Sequence, residues 1–371
     1  MEVWNEFNMD RKLELLGLPA ESDWVLYAPN NFEPVLIHNP FVHQLSRDMG
    51  RYSPRTRFVE VYINKSTGPI TPSHYAGIYV LEEKIKISPA RVNLDKLEPE
   101  HTAPPEVTGG YLMKIDRLDP GDSGLSAGGI TIAMVDPKEK EIKSPQRVAQ
   151  KNYLVNYLNA FQKALSSTNW RDPLVGYRAY IDVSAWIDYH VLEVLSGNVD
   201  ALVLSTYFYK PRNGLLAFGP HWDFDRALGS TDGRDSNPRI WNTGQFFSAT
   251  WWSRLFGDPD FWQAWVDRWQ ELRETHFSTT NLWGLVDRLA DEVRQAQPRE
   301  YAKWRVTLRG GSYQSEVNLM KNWLSNRVDF IDRQLTQPPR LSSPGGRVPA
   351  GYTLEISGPP GATVYYLSLI H

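Results

Sequence analysis

The period of the apolar residues changes partway along this chain, and that change limits its fold more than any other feature. Up to about residue 140 the recurrence is every second position. It is clear at 57–63 (RFVEVYI), and strands are also expected at 77–85, 110–116 and 129–135. A period of two is the signature of half-buried β-strands. From Ser144 the spacing lengthens to three and four, with Val148, Leu154, Leu158, Phe161 and Leu165 on one helical face. A strand-rich part followed by a helix-rich part predicts an α+β architecture. The chain has 371 residues, enough for two cooperating units or one large two-lobed fold.

Other elements follow from local signals. A helix is expected over 35–49, with Pro40 forcing a bend or a late start. A second helix spans 182–196, where Asp182 suits an N-cap and Gly197 a stop. A hairpin follows, with strands at 205–210 and 215–219 around Asn213-Gly214, a pair that suits a type I′ turn. Helices are then expected around Phe261, Trp265, Val266 and Trp269, over 282–293, and over 317–335 with Leu319, Trp323, Val328, Ile331 and Leu335 in the core. Residues 1–7 read as the middle of a strand. The resulting organisation is a strand-rich unit (1–143), a helical unit (144–336), a Pro/Gly/Ser linker (337–350) and a short β-like stub (351–371).

Composition removes several function classes. A net charge of -3 gives no basic field, so a nucleic-acid coating role lacks its electrostatic footprint. Cysteine is absent, which excludes disulfide scaffolds, thiolate metal sites and a cysteine nucleophile. No run of apolar residues is long enough to span a bilayer. The first residues carry neither a basic segment nor an apolar one. Both ends look cut, so a fragment of a longer protein is expected.

The densest chemical signal is 197–229 (GNVDALVLSTYFYKPRNGLLAFGPHWDFDRALG). Asp200 falls in a loop after a helix, and the hairpin then returns the chain to Asp223 and Asp225. A hairpin brings its outer ends together, so the three carboxylates are expected at one rim. They repel unless a cation binds them, and oxygen ligands favour Mg²⁺ or Ca²⁺ over Zn²⁺. The plainer reading of each aspartate is a cap or an Asx-turn. His38 and His43 lack the spacing of a helical zinc pair, and His221 is read as bonding a loop carbonyl. All the tryptophans except Trp4 and Trp24 lie between Trp170 and Trp323. The spacing of Trp262, Trp265 and Trp269 favours helix packing over sugar stacking.

The same span resembles the core signature of the CotH-type spore-coat protein kinases, through GNVD, STYFYK and GLLAFGPHWDFD. Upstream, 53–62 (SPRTRFVEVY), 77–85 (GIYVLEEKI) and 109–114 (GGYLMK) resemble that family's strands, so the likeness covers roughly 10–335. The resemblance implies a two-lobed, atypical protein-kinase-like fold and a Mg²⁺-ATP-dependent transfer, with Mn²⁺ as an alternative cation. The acceptor would be a Ser or Thr of a surface or coat-like protein, or of the chain itself. It also implies roles. Lys114 would contact the α/β-phosphates and Glu83 would pair with it. Asp200 would orient the acceptor hydroxyl, Asp223 would hold Mg²⁺, and Asp225 would hold a second ion or organise the loop. The plainer readings are a solvated lysine and a surface ion pair.

One departure stands out. Protein kinases place a metal-binding Asn five residues after the catalytic Asp, and here that position is Ser205. A nucleotide-binding pseudokinase that serves as an assembly module is therefore the second reading. A glycoside hydrolase is the third, although Asp223 and Asp225 stand too close in sequence to flank a sugar bond. The tail 351–366 (GYTLEISGPPGATVYY) is similar to the opening of a chitobiase-type β-sandwich module, which implies an extracytoplasmic parent protein. The acceptor and the oligomeric state are not written in the sequence.

Overall fold

A computed structural model describes residues 1–29, 32–241, 244–343 and 346–365. Along the chain come β1 (Leu13–Leu15), β2 (Leu18–Glu21), β3 (Trp24–Tyr27), α1 (His38–Asp48), β4 (Thr56–Tyr62) and β5 (Tyr75–Glu83). Next are β6 (Tyr111–Ile115), β7 (Leu125–Ala127), β8 (Ile130–Asp136), α2 (Glu139–Ile142), α3 (Val148–Ser166) and α4 (Val183–Ser196). The hairpin is β9 (Thr206–Lys210) and β10 (Ala217–Phe218). Helices α5 (Gly244–Ser248), α6 (Trp252–Leu255), α7 (Pro259–Glu274), α8 (Thr279–Val293), α9 (Gln297–Trp304) and α10 (Tyr313–Gln334) follow. The described chain closes with the exposed pair β11 (Arg340–Leu341) and β12 (Ile356–Ser357).

Two antiparallel sheets frame the protein. One has the order β3-β5-β4, and the other the order β10-β9-β6-β8-β7. The larger sheet joins strands from both sides of residue 143, because β6 pairs with β9 as well as with β8. The largest apolar cluster among the described residues runs from Val35 in the strand-rich half to Leu335 after α10. The α+β class follows from these antiparallel sheets and the helices around them.

Helix ends obey their local signals. Asp182 accepts a hydrogen bond from the Ala185 amide at 3.1 Å, and α4 stops at Gly197 with φ of 62°. Pro40 lies in the first turn of α1, where its missing N–H costs nothing, so the helix starts late rather than bending. The aromatic run on α6 and α7 packs inward. Trp265 stacks on Trp262 at 5.4 Å and on Trp269 at 6.0 Å, and its indole N–H donates to His190.

Several local expectations are corrected. Type I′ geometry needs φ above zero at both central residues. Asn213 has φ of 52°, but Gly214 is not left-handed, and its amide closes the turn on the Pro211 carbonyl at 3.2 Å. Asn213 is held instead by Thr108, whose hydroxyl meets both its amide and its side chain. Val148 and Leu319 are 46% and 40% exposed, because each falls off the apolar stripe of its helix. Residues 1–7 form only isolated bridges, from Glu2 to Asp23 and from Trp4 to Asp10. Of the β-like stub at 351–371, residues 366–371 lie outside the described residues.

Candidate functional site

The loop after α4 is built outward from a buried carboxyl. Glu193 accepts from the Asn198 amide at 2.9 Å, and Asn198 Oδ1 accepts from the backbone N–H of Asp200 at 3.1 Å. The chain that returns from the hairpin is laced to the same place. The amide of Val199 bonds the Arg226 carbonyl, and the amide of Leu228 bonds the Ser196 carbonyl. Gly229 has φ of +78°, and a Cβ there would sit 2.7 Å from Cδ1 of Trp323. Only glycine fits, so the loop passes directly over the tryptophan.

This lacing brings Asp200, Asp223 and Asp225 into one electrostatic neighbourhood. Burial raises the Asp223 carboxyl, and the charges of Asp200 and Asp116 raise it further. Burial and then Asp223 push Asp225 up to about 6. Asp223 has φ of 68° and Ser205 φ of 49°, both left-handed without being glycine. Such backbone conformations tend to cluster at working sites. Ser205 Oγ donates to Asp223 Oδ2 at 3.1 Å.

The other side of the loop is cationic. Arg226 reaches Asp200 at 3.9 Å, Asp225 at 4.0 Å and Asp232 at 3.5 Å. Arg234 reaches Asp200 at 3.8 Å and is paired more closely with Asp232. Among the described residues, no three His, Asp or Glu side chains are already arranged around a metal position. Each of the three carboxylates instead has an arginine or hydroxyl partner.

Lys114 and Glu83 do not meet as expected. Lys114 lies on β6 opposite Tyr207 of β9, and its Nζ bonds Asp116 at 2.8 Å. That pair stands at the end of the strand next to Ser205, and Asp116 is among the charges felt by Asp223. Glu83 belongs to the other sheet. It accepts from Tyr52 and from the backbone and side chain of Arg55, and it lies 4.0 Å from Arg91.

Side chains alternate along a strand, so the neighbour of Glu83 points the other way. Glu82 is that neighbour. It is 2% exposed, its Oε1 has no hydrogen-bond partner among the described residues, and Asp223 is the charge that bears on it. Burial pushes its carboxyl up to about 8. The tyrosine hydroxyl of Tyr27 and the amide of His38 bond Glu33, a second buried carboxyl whose protonated form is favoured by burial. Asn39 fixes the acidic loop by accepting from the Phe224 amide at 2.8 Å. Sequence reasoning missed Glu33, Asn39 and Glu82.

His221 is buried, stacks on Tyr189 at 4.5 Å, and contacts Ser46 and the Tyr189 carbonyl. The carbonyl belongs to α4 rather than to a loop, and the role is structural. Glu82 and Asp223 offer oxygen donors of the kind a hard divalent cation takes.

A strand lysine, a post-helical aspartate and an acidic pair after a hairpin stand in that chain order on an α+β frame. The CotH kinase protein family matches residues 1–331, and the chain belongs to that family. Comparison with curated proteins gives no match. Among the described residues no helix is long and apolar enough to cross a membrane.

Proposed function

We propose that the chain is an ATP-dependent protein kinase that moves the γ-phosphoryl group to a Ser or Thr hydroxyl of a surface or coat-like protein, or of the chain itself. The observation that carries this reading is the convergence of Asp200 with Asp223 and Asp225: the Asp200 charge bears on both aspartates, and that of Asp223 on Asp225. In this reading residues 1–143 and 144–336 act as the two lobes, with the larger sheet passing between them.

The roles follow from where charge moves. Lys114 offers a point charge to the α/β-phosphates once it exchanges Asp116 for phosphate oxygen. Asp223 would hold Mg²⁺ or Mn²⁺, and Asp225 would hold a second ion or order the loop. A cation held there would neutralise charge on the phosphate oxygens. Asp200 accepts the proton of the acceptor hydroxyl as the new O–P bond forms and the bond to the β-phosphate breaks, leaving ADP. Arg226 and Arg234 stand 3.9 and 3.8 Å from the Asp200 carboxylate.

A pseudokinase is the second reading, favoured by Ser205. Its hydroxyl occupies the asparagine position and is already committed to Asp223. Incubation of the full chain with γ-labelled ATP and Mg²⁺ or Mn²⁺, beside Asp200→Ala and Asp223→Ala, separates the two. Label in the wild type alone supports the kinase. Nucleotide binding with no transfer supports the pseudokinase, and no nucleotide binding removes both.

A further inference from the structure

We infer that Glu82 is a ligand of the divalent cation, bound from the central strand of the smaller sheet together with Asp223 and Asp225. The inference deepens the reading above and rests on its assignment of the two aspartates to the cation.

The strand fixes Glu82 rigidly. Its backbone is paired on both sides, with Val25 of β3 and Thr56 of β4 as register partners. Its side chain shares a face with Val80 and Ile78, and Ile78 packs into the main core. Tyr27, opposite Val80 on that face, bonds Glu33, which also holds the His38 amide, and the next residue Asn39 holds the Phe224 amide beside Asp223. Glu83, one residue on, shares the opposite face with Leu81, which packs with Leu18 and Trp24 in a separate cluster.

A buried carboxyl oxygen with no partner is costly, and native proteins rarely keep one without a use. Nearby donors are committed. Lys114 is held by Asp116, and Ser205 by Asp223. Arg55 and Arg91 serve Glu83. A small hard cation between Glu82 and the loop aspartates supplies positive charge to Glu82, which has none beside it among the described residues, while Arg226 already stands near Asp225. Glu82 would also supply an oxygen ligand in place of the carboxamide that Ser205 lacks. Glutamate and aspartate oxygens together select Mg²⁺ or Mn²⁺ over softer metals.

The test reads metal binding rather than turnover. Mn²⁺ is titrated into the full chain, alone and with ADP, and free Mn²⁺ is followed by electron paramagnetic resonance. Glu82→Gln keeps the shape and removes the charge. It is expected to weaken Mn²⁺ binding by about tenfold or more, with Asp223→Asn as the control. Equal affinity in wild type and Glu82→Gln, with Asp223→Asn impaired, overturns the inference and leaves the kinase reading standing.

A second measurement needs no variant. In wild-type protein labelled with ¹³C at glutamate carboxyls, Mn²⁺ should shift a glutamate band in the infrared difference spectrum, since the other proposed ligands are aspartates. A spectrum without a glutamate change sinks the inference even if Glu82→Gln fails to fold. Glutamate-dependent Mn²⁺ binding in a protein that takes no ATP keeps the inference and removes the kinase reading. A wild type that binds no Mn²⁺ under either condition removes the cation site altogether.

Discussion

Ser205 and Asp223 face each other across a 3.1 Å hydrogen bond, and both hold their backbones in the left-handed region. Eighteen residues separate them in the chain, and the β9–β10 hairpin lies between. The hydroxyl favours the ionised form of a carboxyl whose pKa burial and its acidic neighbours raise. Ser205→Ala removes that donor. A hydrogen bond to a charged group is worth about 1.5–3 kcal/mol, so Mn²⁺ affinity near pH 6 should fall by roughly tenfold or more. Isothermal titration of the two proteins at that pH checks it.

Asp200 is expected to act on the acceptor and not on the nucleotide. Asp200→Asn should lower phosphoryl transfer by about 10²–10⁴-fold, the usual contribution of a positioned base. ATP affinity should stay within a few-fold. A parallel loss of nucleotide binding would place Asp200 with the phosphates instead.

Glu83 is expected to be a stability residue. It is fully buried against Arg91, which is 3% exposed, and it also holds Arg55 and Tyr52. Glu83→Ala leaves Arg91 without its carboxylate, and breaking a buried pair costs about 3–5 kcal/mol. Urea denaturation should show that loss. A variant of normal stability with weakened ATP binding would restore the expected partnership with Lys114.

Gly229→Ala forces a side chain into a left-handed position against the Trp323 indole. Strain of this kind costs about 1–3 kcal/mol. The change should loosen the loop that carries Asp225, so the melting temperature and Mn²⁺ affinity should fall together. Gly233 also has positive φ but has open space around its Cβ position, so Gly233→Ala should cost less.

Stability should depend on pH in two opposed windows. Burial lowers His190 to about 3 and His221 to about 4, so the unfolded chain binds more protons than the native one below the ordinary histidine range near 6.5. Stability is therefore lost as pH falls from about 6.5. Glu82 and Glu193 are raised from 4.5 to about 8. There the native state holds the extra proton, so stability is lost as pH rises from the ordinary glutamate range toward 8. Above the histidine window only this second effect remains, and without divalent cations the melting temperature should fall from pH 6.5 to 8. Glu193→Gln should flatten that slope by on the order of 1 kcal/mol. Calorimetry across the range measures it.

Much of this protein was written locally. The alternation at 57–63, the strand at 77–85, the cap at Asp182, the stop at Gly197 and the tryptophan stripe on α7 each depend on residues a few positions apart, so local composition, period and capping chemistry suffice to read them. The motifs around Asp200, Asp223 and Asp225 were legible for the same reason, since one hairpin joins them. The partners of Lys114 and Glu83 were not legible. Which strand lies beside which is decided by long-range pairing, and β6 chose β9 and β8 rather than β5. Glu82 was overlooked because choosing between adjacent glutamates requires knowing which face of β5 meets the acidic loop. That face is set by the packing of two sheets and one core, where burial and charge from distant segments outweigh any preference of the residue itself.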